Sequence, residues 1–232
     1  MRRDRLFDDF SRTDDLPSGH AEREFSFLNR TSWPPFARVR EEIERWFSEF
    51  PAESRPGLAA RARGDDQAWA SVFWELYLHN LLHRAGFSIQ VEPELPGVRT
   101  RVDFLVRRDG CSVAVEATTV LGPRAENAAL QRKNTVYDTI QRLSSPNFWL
   151  AVDVFEEGPS DLAVGRHRAA VESWLEALDP DTVEGRLAES GDESLPRHSI
   201  SSGGWTVELA AWPRAREDRG EPHRPLGAFG PG

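Results

Sequence analysis

The alternation of apolar and polar positions predicts most of the elements of this chain. Phe36, Val39, Ile43, Trp46, Phe47 and Phe50 recur at helical spacing after Pro34-Pro35. This predicts an amphipathic helix over residues 36–50, capped by Ser32. A second helix is predicted from a cap at Asp65 or Asp66 to Arg84, ended by Gly86. Trp69, Val72, Phe73, Trp74, Leu76, Tyr77, Leu78, Leu81 and Leu82 make it apolar nearly all round, which is the pattern of a buried helix. Glu75 stands inside that apolar surface, and burial penalises a carboxylate unless an arginine or a metal ion faces it.

After Gly86 the period changes to two. Phe87, Ile89 and Val91 predict a strand that stops at Pro93 and Pro96-Gly97. Residues 100–107 and 111–120 predict two further strands joined at Asp109-Gly110, because a type I′ turn needs φ > 0 at both central positions. With those two as the loop, Arg108 pairs with Cys111. Asp103 then lies directly opposite Glu116, and Arg101 opposite Thr118, all on one face. Like charges directly opposed destabilise a sheet, and a bound divalent metal is the simplest account of such a pair. Pairing with Arg99, Arg101 or Arg107 is the structural alternative.

Further on, residues 126–143 predict a helix with an inward stripe of Ala129, Lys133, Val136, Ile140 and Leu143. Residues 148–155 are apolar on both faces, which predicts a central strand. A surface helix over 166–178, a polar loop over 179–202 and a strand over 205–212 follow. The expected organisation is a mobile segment at 1–31, one α/β domain at 32–212 with its core at 65–155, and a turn-rich tail at 213–232. Arg55, Arg61 and Arg63 read as solvated surface.

The chain has 232 residues and a formal charge of −9, which argues against nonspecific coating of nucleic acid but not against a local binding patch. One cysteine, Cys111, permits no internal disulfide and fits a reducing cytoplasm. The N-terminus lacks the apolar core of a signal peptide, and no run is long enough to span a membrane. Lys133 is the single lysine. His79 and His83 share a helix face, but HNLLH lacks the glutamate of H-E-x-x-H and has no evident third ligand, so they read as packed histidines.

The order helix, strand, strand, strand, helix, strand over residues 65–155, with Asp103 and Glu116-Ala117-Thr118, resembles the core of the PD-(D/E)XK nuclease superfamily, the restriction-endonuclease-like fold. That resemblance implies an αβββαβ core with a mixed central sheet flanked by helices, plus an added N-terminal helix and a C-terminal helix and strand. It implies that Glu75, Asp103 and Glu116 bind Mg²⁺ or Mn²⁺, and that the metal activates water against a phosphodiester of DNA or RNA. Val102 replaces the family's proline. Thr118 replaces its lysine, and Lys133 on the following helix is the candidate to supply the missing amine, with Arg101 stabilising charge. From Phe36 onward the chain also resembles uncharacterised actinobacterial proteins with a WELYLHNLL-like helix, a VDFLV strand and a VEAT strand. Those chains often continue past the GAFGPG position, so a truncated chain is expected. The leading expectation is a metal-dependent nuclease. The alternative is a catalytically silent copy of the fold that binds nucleic acid or a protein.

Overall fold

An aspartate that can reach back to a free helical amide starts a helix, and Asp65 does so: its carboxylate accepts from the Ala68 amide at 2.8 Å. The helix that follows, α4 (Asp66–Arg84), ends before Gly86, whose φ of 82° suits glycine. It is the fourth of seven α-helices that the computed structural model contains among its described residues, which are 5–94, 102–118, 124–158, 162 and 164–226. By contacts the chain separates into two units, Met1–Ser18 with Glu22–Gly122, and Gly19–Ala21 with Pro123–Gly232. The boundary at Gly122 falls inside the stretch 32–212 expected as one domain.

The first unit contains α1 (Glu24–Arg30), α2 (Pro34–Glu49), α3 (Arg55–Arg61), α4, and the strands β1 (Ser88–Val91), β2 (Phe104–Arg108) and β3 (Cys111–Val115). The three strands form one antiparallel sheet in the order β1-β2-β3. The β2–β3 register runs from Phe104 opposite Val115 to Arg108 opposite Cys111, as the Asp109-Gly110 turn requires. Both turn residues have positive φ, 51° and 81°. Phe104 and Val106 point into a core with Ile43, Phe47, Phe50, Leu58, Val72 and Leu76.

The expectation of a mobile segment at 1–31 differs from what is found from Arg5 onward. Leu6 and Phe7 are buried, and their amides donate to the Glu44 carboxylate on α2 at 3.2 and 2.7 Å. Phe7 stacks on Phe25 of α1 with ring centroids 5.4 Å apart. At Leu6 and Phe7 a side chain of α2, not a ladder of the segment's own, satisfies the backbone amides.

The second unit contains α5 (Arg124–Ile140), β4 (Phe148–Glu156), α6 (Arg168–Glu176), α7 (Pro180–Ser190), β5 (Arg197–Ser202) and β6 (Trp205–Pro213). Its sheet is antiparallel, in the order β4-β6-β5. The helix–strand order expected over residues 65–155 is therefore present as α4, β1, β2, β3, α5, β4. The single mixed sheet is not: among the described residues the strands divide between two three-stranded antiparallel sheets. Nor is β4 central. The middle strand is β6, whose Val207, Leu209, Ala210 and Ala211 are fully buried. The loop expected at 179–202 holds a helix and a strand. Asp179 caps α7 through the amides of Asp181 and Thr182, Pro180 opens it, and Gly191 ends it. The tail at 213–226 is packed too: Arg214 is buried, and Leu226 lies against the core beside Leu150.

Candidate functional site

Buried carboxylates are where the sequence placed the chemistry, and Glu75 is buried, its side chain 8 % exposed. The turn of α4 that carries it lies beside α3, whose last residue is Arg61. Arg61 donates to both oxygens of Glu75, Nη1 to Oε1 at 2.8 Å and Nη2 to Oε2 at 2.6 Å. Ser71 Oγ, one turn earlier on α4, lies 3.3 Å from Oε1. This two-pronged pairing suits the planar guanidinium and carboxylate. The hydrogen bonds to Glu75 raise the Arg61 pKa above its ordinary value against the burial that lowers it. The charges of Glu75, Glu92 and Asp103 act in the same direction. The charges of Glu75 on α4, of Glu92 just past β1 and of Asp103 just before β2 thus all act on Arg61, which was read from sequence as solvated surface. The signal that could have found it is its position, one short turn before the cap of the helix that buries Glu75.

Asp103 stands just outside β2, where the expected register brings it to the end of β3. Its Oδ2 accepts from the Ala117 amide at 2.7 Å, and its carbonyl accepts from the Glu92 amide at 2.9 Å. Asp103 thus closes the open end of the sheet on both sides. Glu92 takes a positive φ of 44° at this point, a strained conformation for a residue other than glycine. Glu116 and Thr118 follow β3 and are exposed. Lys133 is half-buried on α5 in the second unit, its Nζ 5.9 Å from the centre of the Tyr137 ring. Arg101 and Arg99 lie outside the described residues.

Among the described residues, no three His, Cys, Asp or Glu side chains are grouped to hold a metal ion. Glu75, Asp103 and Glu116 are all described, so the convergence expected of them is not found. The donors as arranged do not fit a divalent cation. Both oxygens of Glu75 are taken by Arg61, one oxygen of Asp103 is taken by a backbone amide, and Glu116 is exposed.

The second candidate cluster on α4 is a packing feature. His79 is 5 % exposed, with the Phe50 ring centre 4.6 Å from its own, and its buried Nδ1 has no hydrogen-bond partner among the described residues. Burial, with a smaller contribution from His83, lowers its pKa below the ordinary histidine value, while Glu49 acts weakly the other way. The folded state therefore takes up the His79 proton only at lower pH than the unfolded chain. That contribution is intact above about pH 6.5, the unfolded histidine value, and is lost as pH falls through the folded value. Replacing His79 by Leu removes the unpaired nitrogen and should flatten this acid-side loss of stability. Unfolding free energies of both proteins at several pH values below neutrality measure it, and identical slopes would contradict it.

No protein-family model, no curated protein and no solved structure matches this chain.

Proposed function

We propose that the chain is a catalytically silent, nuclease-like module that binds a partner and does not cut phosphodiesters. The observation that supports this reading is the Arg61–Glu75 fork: a built-in guanidinium occupies the two carboxylate oxygens that a metal-dependent nuclease would offer to its ion. Thr118 points the same way, because a hydroxyl at that place in the Glu116-Ala117-Thr118 tripeptide cannot supply the positive charge that an amine brings to a phosphate. The net charge of −9 favours a protein partner over a nucleic-acid backbone.

A cleavage assay tests the reading. Purified protein is incubated with single- and double-stranded DNA and RNA in Mg²⁺ and in Mn²⁺, beside the Asp103→Ala protein. The expected result is no cleavage above the Asp103→Ala background on any substrate. Metal-dependent cutting that disappears in Asp103→Ala and in Glu116→Ala would overturn it in favour of a Mg²⁺- or Mn²⁺-dependent nuclease acting on DNA or RNA. Lys133→Ala would then show whether that lysine serves the reaction.

A further inference from the structure

Helix α4, apolar nearly all round, was expected to be largely buried, but one of its faces is exposed. Its inner stripe, Trp69, Val72, Leu76 and His79, is buried, while Trp74, Tyr77 and Leu81 are 45 %, 37 % and 50 % exposed. An exposed apolar stripe on a helix this rich in aromatics is the mark of an interaction surface. Its spacing carries more information. Gln67, Ala70, Trp74, Tyr77, Leu81 and Arg84 follow one another at alternating intervals of three and four, the seam of two packed helices.

The seam is also self-complementary. A two-fold axis between Trp74 and Tyr77 runs a second copy of α4 antiparallel to the first. Each Trp74 then meets the partner's Tyr77, and each Ala70 meets the partner's Leu81, small against large. At the ends Gln67 meets the partner's Arg84, whose long side chain also reaches the acidic first turn at Asp66. Both Asp66 and Arg84 are exposed. Antiparallel packing further sets the negative C-terminal end of one helix against the positive N-terminal end of the other.

The surface beside Ala70 is shaped for the residue this pairing delivers. A mostly apolar groove of about 230 Å³ opens there, lined by Leu28, Val39, Ile43, Ala70, Phe73 and Trp74 among others, with Glu24 as its one charged residue. It lies where the partner's Leu81 would enter. We propose that the exposed stripe of α4 is a homodimer interface, in which two copies pair antiparallel about Trp74 and Tyr77 and each Leu81 fills the groove of the other. The interface does not depend on whether Glu75 holds an arginine or a metal.

Sedimentation equilibrium of the full chain over micromolar to millimolar concentration is the test. The wild type should dimerise, and Leu81→Glu should weaken self-association on the order of 100-fold while leaving the far-ultraviolet circular dichroism unchanged. Arg84→Glu should weaken it less. Adding Gln67→Arg to Arg84→Glu should restore it, because the introduced arginine and glutamate then pair across the axis, and a merely unfolded variant would not recover. A wild type that stays monomeric at millimolar concentration would overturn the proposal and leave the stripe to a different protein. A dimer indifferent to Leu81→Glu, or an exchange variant no tighter than Arg84→Glu, would overturn it as well.

Discussion

Replacing Arg61 by alanine should destabilise the first unit by about 2–3 kcal/mol, and replacing Glu75 by glutamine by only about 1 kcal/mol. The asymmetry follows from burial. The Glu75 side chain is 8 % exposed and that of Arg61 is 45 % exposed. Removing the arginine strands a buried carboxylate where water cannot replace the lost bonds. Removing the charge on Glu75 strands only a guanidinium that solvent already reaches, and the charges of Glu92 and Asp103 still act on it. Partial exposure of the arginine places the first figure below the range for fully buried pairs. Denaturant unfolding of the three proteins near neutral pH measures the difference. Equal losses for the two variants would mean that the fork contributes no more than a surface pair.

Replacing Gly158 by alanine should cost about 3 kcal/mol. A Cβ built there would lie 2.5 Å from the Gly203 carbonyl oxygen, 2.5 Å from Trp205 Cδ1 and 2.9 Å from the Gly204 carbonyl carbon. Two of these three neighbours are backbone of the Gly203-Gly204 turn between β5 and β6. That turn is fixed by positive φ values of 61° and 85° and by the register that pairs Ser202 with Trp205. Trp205 itself is 1 % exposed and among the largest fully buried side chains. Trimming the indole by Trp205→Phe relieves only the side-chain contact, so the double variant should be no more stable than Gly158→Ala. Unfolding midpoints of the two single variants and the double variant decide this. A Gly158→Ala protein within about 0.5 kcal/mol of the parent would show that the turn yields.

What the sequence revealed and what it hid divide along one physical line. Features set by neighbours in the chain were legible. The Asp65 cap, the Gly86 stop and the Asp109-Gly110 turn are local chemistry, and the turn alone fixed the β2–β3 register that carries Asp103 to the end of β3. The Asp179-Pro180 start of α7 was equally local but went unread within the stretch 179–202 taken for a polar loop, and the Gly203-Gly204 turn just after it went unread too. Features set by partners distant in the chain were not legible. The apolar run of β4 is the same whether the strand is central or at an edge, and only its pairing with β6 decides. The need of Glu75 for a cation was readable from the apolar residues around it. The identity of that cation was not, since an arginine 14 positions away leaves the same pattern as a metal ion.

On the proposed reading, Arg61 and not a divalent ion neutralises Glu75. Free Mn²⁺ in solution gives a sharp six-line electron paramagnetic resonance signal that collapses when the ion binds protein. Titrating Mn²⁺ into the 232-residue chain and into its Asp103→Asn variant follows that amplitude. Both proteins should leave the signal at its protein-free intensity up to equimolar metal. A signal suppressed by the parent and restored by Asp103→Asn would contradict it, since the carboxylates would then hold a metal despite Arg61.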